Sequence, residues 1–66
     1  MKRTLRGLRV DSGLTRKQVA DALGVSEATW INYEVGKSLP NAVTVVKLVE
    51  LFNVQLDDIK FEEAEK

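Results

Sequence analysis

The sequence contains no cysteine and no histidine. That excludes disulfides, thiol nucleophiles, the ligand sets of zinc fingers and zinc ribbons, and every histidine-based catalytic arrangement. Long apolar runs are missing as well. The start, Met1-Lys2-Arg3-Thr4, passes into alternating Leu and Arg, so the chain is read as cytoplasmic, with neither a signal peptide nor a membrane span. Length is the next scarcity. With 66 residues there is room for one domain, and a fold this small buries only about 60% of the surface its unfolded form exposes. Stability then has to come from regular packing or from a partner chain. Catalysis has little to work with: the Ser and Thr hydroxyls lack a histidine base, and the carboxylates gather towards the C-terminal end rather than in a pocket. The expectation is a protein that is not an enzyme, with no cofactor, no metal and no evident small-molecule ligand.

An excess of charge of one sign is also lacking, since ten basic and ten acidic residues cancel. As an average, that argues against a nucleic-acid partner. The distribution reverses the argument. Residues 1–17 hold Lys2, Arg3, Arg6, Arg9, Arg16 and Lys17 against Asp11 alone, a net +5, which leaves −5 on the remainder. Much of that negative charge sits in Asp57, Asp58, Glu62, Glu63 and Glu65. Residues 62–66 read as a solvated acidic tail behind a domain spanning residues 1–61.

What is present in abundance is helical periodicity. Apolar residues recur every three or four positions, and Gly, Pro and Asn fall between the periodic blocks. Leu5, Leu8 and Val10 mark a first helix that stops at Ser12-Gly13. Thr15 and Gln18 have the spacing of a capping box and open a second helix, which carries Val19, Ala20 and Leu23 to Gly24. Ser26 is a good N-cap for a third, which runs through Trp30 and Tyr33 to Gly36. After the loop around Pro40, Asn41 can cap a fourth helix over residues 42–52 with Val45, Leu48, Val49 and Phe52 on its inner stripe. One further short helix around Leu56 and Ile59 fits the segment 54–61. The fold class is therefore all-α, a compact bundle of four to five short helices.

The most specific signal lies in residues 15–35. Two helices joined by a turn this short cross steeply, so their contact point needs a small side chain, Ala20, and the turn needs a backbone-permissive residue, Gly24. That is a helix-turn-helix. With Leu8-Arg9, Gly13-Leu14-Thr15, Val19-Ala20, Leu23-Gly24-Val25-Ser26, Tyr33-Glu34, Gly36-Lys37, Pro40 and Leu56-Asp57-Asp58-Ile59 in order, the chain resembles the Cro/repressor-type (XRE-like) helix-turn-helix family of bacterial and phage regulators. The resemblance runs over about residues 5–59. It implies a lambda-repressor-like DNA-binding domain.

Helix geometry gives the exposed face independently. At 100° per residue, Trp30, Tyr33 and Ser26 share one side of the third helix and Ala28, Ile31, Asn32 and Val35 the other. Apolar groups there can meet thymine methyls and Asn32 can pair bidentately with adenine, or else Ile31 and Val35 pack against another chain. The resemblance also puts Ser26, Glu27, Ala28, Thr29 and Asn32 at or near DNA. Glu27 either accepts from a cytosine amino group or simply complements the helix dipole. Thr15, Arg16 and Lys17 at the start of the second helix, and Lys37 and Ser38 after the third, are candidates for the DNA backbone. Arg16 stands where relatives often carry Gln, so it either reads guanine or touches phosphate. Trp30 stands where they carry an aliphatic residue; it is expected to fill core space, and its indole N–H then needs a partner. The resemblance implies a structural ion pair between Arg9 and Glu34.

The function expected is a sequence-specific transcription regulator, a repressor, that binds a palindromic operator in double-stranded DNA as a homodimer. Val43, Val46, Leu51 and Phe61 exceed what the fourth helix and the last turn need for their own core and are the candidate dimer interface. The alternative is an antitoxin or other protein-interaction module that docks a toxin through Val43, Val46 and Leu51, with secondary DNA binding.

Overall fold

A computed structural model describes residues 2–61; the acidic tail expected at 62–66 lies outside the described residues. Four helices, α1 (Leu5–Asp11), α2 (Arg16–Leu23), α3 (Glu27–Val35) and α4 (Ala42–Phe52), make up most of the fold. At 7 to 11 residues each is too short to persist alone in water. Their ends are fixed by side chains. Thr4, Thr15, Ser26 and Asn41 each accept a hydrogen bond from the backbone N–H three residues on, satisfying a donor that the helix itself cannot, worth about 1 kcal/mol per cap. At Thr15 the Gln18 side chain returns the favour to the cap N–H, so the capping box is complete.

The four helices also stop alike. Gly13, Gly24, Gly36 and Asn53 are left-handed, and the next residue donates back to the helix: Leu14 to Arg9, Val25 to Ala20, Lys37 to Asn32 and Val54 to Val49. This closing bond usually carries an apolar residue that folds back onto the helix. Leu14, Val25 and Val54 do so, packing against the core, whereas Lys37 after α3 is exposed.

Leu5, Leu8, Val19, Ala20, Leu23, Trp30, Leu48, Phe52 and Ile59 form the core. Trp30 is its centre, fully buried, with Tyr33 edge-on at 6.3 Å and Phe52 tilted at 6.4 Å between ring centroids. Ala20 is buried where α2 meets α3.

Three expectations are corrected. Segment 54–61 is not an α-helix but a single 3₁₀ turn, Leu56–Asp58, that leads into a strand, β2 (Ile59–Lys60). The Asp58 carboxylate accepts from the Gln55 N–H at 3.2 Å in a capping box that opens the turn, and the turn ends where Ile59 becomes extended, at φ −101° and ψ 127°, on entering β2. β2 pairs in parallel with β1 (Arg3–Thr4), Arg3 opposite Ile59 and Thr4 opposite Lys60, which carries Ile59 into the core and leaves Leu56 exposed. Val10 is exposed rather than part of the α1 core stripe. On α4 the inner stripe turns on Thr44, Leu48 and Phe52, with Val45 and Val49 only half-buried.

Candidate nucleic-acid interface

α3 owes its position to Trp30 and Glu34, the two residues it buries. They are one turn apart, so they share the inner side of the helix; of the residues between them Tyr33 packs edge-on against Trp30 and Ile31 is exposed. Glu27, Ala28, Ile31 and Val35 are exposed, while Thr29 and Asn32 are half-buried at the flanks. Val35 is 53% exposed, a large share for a valine on an ordered helix. Ser26 starts the helix: its Oγ accepts from the Thr29 N–H at 3.1 Å and donates to Thr29 Oγ1 at 2.8 Å. Both hydroxyls are thus held at the helix entrance, beside exposed Glu27.

Glu34 is the organising group. Its side chain is 3% exposed, and a buried carboxylate is costly unless its oxygens are matched by donors. Three donors match them. Arg9 Nε donates to Oε2 at 2.6 Å, Trp30 Nε1 to the same oxygen at 2.5 Å and Arg16 Nε to Oε1 at 3.3 Å. Arg9 also donates through Nη1 to the Leu14 carbonyl at 3.1 Å. One carboxylate therefore ties α1, the start of α2 and the α3 core residue together, which fixes how α3 is presented.

The residues expected at the DNA backbone separate by environment. Arg16 leans on Glu34 and keeps 43% of its side chain exposed. Lys17 is exposed and only loosely associated with Asp21 at 3.6 Å. Lys37 and Ser38 are exposed beyond the end of α3, and Thr15 is engaged in its capping box. Of the candidate dimer residues, Val43 and Val46 are exposed, at 65% and 54%. Leu51 and Phe61 are half-buried against the core. Phe61, read from the sequence as surplus to the core, packs against it.

Two features escaped the sequence reading. Trp30 and Glu34 stand four apart on one helix, so their spacing allowed the indole to find its acceptor there. The cleft that adjoins α3, lined by Thr4, Arg6, Arg16, Glu34 and Val35, is built from three helices and has no such signal.

Comparison with known proteins points to one family. The family model of a helix-turn-helix domain matches residues 3–60. The cryptic phage CTXphi transcriptional repressor RstR of Vibrio cholerae is 34% identical over 55 residues, 83% of this chain and 50% of its own length. An HTH-type transcriptional regulator of Methanocaldococcus jannaschii is 37% identical over 59 residues, 89% of each chain. An SPbeta prophage-derived HTH-type transcriptional regulator of Bacillus subtilis, YonR, is 32% identical over 53 residues, 80% of this chain and 49% of its own. The chain spans about half the length of the two phage-derived relatives. With the motif, its crossing and its buried Glu34 pairings in place, the chain belongs to the Cro/repressor-type, XRE-like helix-turn-helix family.

Proposed function

We propose that this chain is a DNA-binding transcription regulator, a repressor, that inserts α3 into the major groove of a palindromic operator. The observation that carries the reading is the outer face of α3, where Ala28, Ile31 and Val35 are exposed beside the half-buried Asn32. Apolar residues left in water at this density need a reason, and thymine methyls with an adenine edge for Asn32 supply one. The names of the relatives, a transcriptional repressor and two transcriptional regulators, support the same class. Arg16 and Lys17 ahead of α3, and Lys37 and Ser38 behind it, are the anchors to the backbone on either side, which position the helix without reading sequence.

A domain of this size spans few base pairs, so the active form is a homodimer whose two α3 helices enter successive major grooves about 34–36 Å apart. Val43 and Val46, exposed on α4, are the surface that favours it. Selection of bound sequences from a random DNA pool tests both parts. The expected result is one inverted repeat with half-sites about 10 base pairs apart centre to centre. Sedimentation on that site should give two chains, falling towards one for Val46→Asp. A pool with no enriched sequence would remove the specific-binding reading, and one chain per saturated site would remove the dimer.

A further inference from the structure

The cleft between the start of α1 and the α2–α3 pair holds a residue that the helix-turn-helix does not include. Arg6 lies on α1 and lines the cleft together with Arg16, with Thr4, Glu34 and Val35 completing a space of about 300 Å³. Val35 belongs at the same time to the outer face of α3, so the cleft opens beside the surface assigned to the groove. The local charge is positive. Arg9 and Arg16 both bind Glu34, and Arg6 adds a third guanidinium against that one carboxylate. The ion pairs that hold the other arginines of the N-terminal segment, Arg3 with Asp11 and Arg9 with Glu34, do not involve Arg6.

Glu34 contributes less repulsion to an incoming anion than its formal charge suggests, because its oxygens already accept from Arg9, Trp30 and Arg16. Arg16 is bound there through Nε. Its Nη groups are not the ones Glu34 uses, and a guanidinium's planar fork suits phosphate oxygens.

We propose that Arg6 and Arg16 clamp one phosphodiester of the DNA backbone in this cleft, extending the footprint from the helix-turn-helix onto α1. This rests on the DNA-binding reading above and adds to it a specific residue and a specific contact.

Affinity for the selected site and for a random duplex, measured between 50 and 200 mM salt for wild type, Arg6→Gln, Arg6→Lys and Arg6→Gln/Arg16→Gln, tests it. Each neutralised phosphate contributes about 0.9 to the slope of log affinity against log salt. Arg6→Gln should therefore bind both duplexes more weakly with a lower slope, and Arg6→Gln/Arg16→Gln, which frees that phosphate, should lower the slope by about one, so that the wild-type advantage over the double variant shrinks about three- to fourfold across that range. Arg6→Lys keeps the charge and should retain the slope. Arg6→Gln with wild-type affinity and slope overturns the clamp and leaves the groove reading standing, whereas a wild type that binds neither duplex overturns both. Inorganic phosphate distinguishes the source: an NMR titration in which low millimolar phosphate shifts residues 6 and 16, with unchanged DNA binding by Arg6→Gln, makes the cleft a free-phosphate site and contradicts the proposal.

Discussion

Glu34 shows how one side chain can hold a small fold in register. In a chain with little core to spend, a carboxylate with 3% exposure is kept charged-partnered by Arg9 and capped by the Trp30 indole. Removing one partner of such a buried pair strands the other, a loss of about 3–5 kcal/mol. The Arg9→Met/Glu34→Leu cycle in thermal melts should accordingly show the double variant less destabilised than the sum of the singles, with coupling of at least about 0.5 kcal/mol. Glu34→Leu alone should be the most damaging single change of the two, because it leaves both Arg9 and the Trp30 N–H without their acceptor. Strictly additive losses would mean the contact contributes nothing. In sequence, Trp30 is readable as core from its place among Val19, Leu23 and Tyr33. The engagement of Arg16 with Glu34, 18 residues away, is a product of how α2 crosses α3, and spacing carries no trace of it.

The helices were legible to their ends because their boundaries are chemical. Thr15, Ser26 and Asn41 are hydroxyl or amide acceptors placed just ahead of apolar periodicity, and Gly24 and Gly36 follow the last periodic residue. Two-residue strands offer no periodicity at all. The pairing of Arg3 and Thr4 with Ile59 and Lys60 depends on both ends of the domain arriving side by side, which local pattern cannot report. The same is true of the turn at Leu56–Asp58, where apolar spacing suggested a longer helix and the pairing of Ile59 and Lys60 with β1 draws the chain into an extended conformation instead. Asn53 is where a terminator departs from glycine. At φ 53° it holds a left-handed conformation that costs other residues about 1–2 kcal/mol and Asn less. Asn53→Ala should lower the melting temperature by about 4–8 °C per kcal/mol lost. Asn53→Gly should melt at or above the wild-type temperature. Equal melting of all three proteins would show that the end of α4 carries no strain.

At the scale of the molecule, a chain of zero net charge carries a net +5 in its first seventeen residues. Arg6, Arg16 and Lys17 come from the first seventeen residues and the fold sets Arg6 and Arg16 at one cleft beside α3. Lys37 closes α3 at a position where the other three helices turn an apolar residue inward. The composition alone hid this polarity and the charge distribution revealed it. Of the four residues that look surplus to the core in sequence, Leu51 and Phe61 lean on it, while Val43 and Val46 are exposed. Substitutions at Leu51 or Phe61 would disturb folding as well as assembly, so Val46 is the cleaner probe. In the function proposed for this chain, the outer face of α3 reads bases while the flanking cations only anchor. Titration of Asn32→Ala and Lys17→Ala on the selected site and on random duplex at several salt concentrations tests it most directly. Asn32→Ala should lose about 1–3 kcal/mol on the selected site and almost nothing on random DNA, while Lys17→Ala should weaken both and lower the salt slope by about one. Equal losses on both duplexes for Asn32→Ala would take α3 out of base recognition and contradict the account.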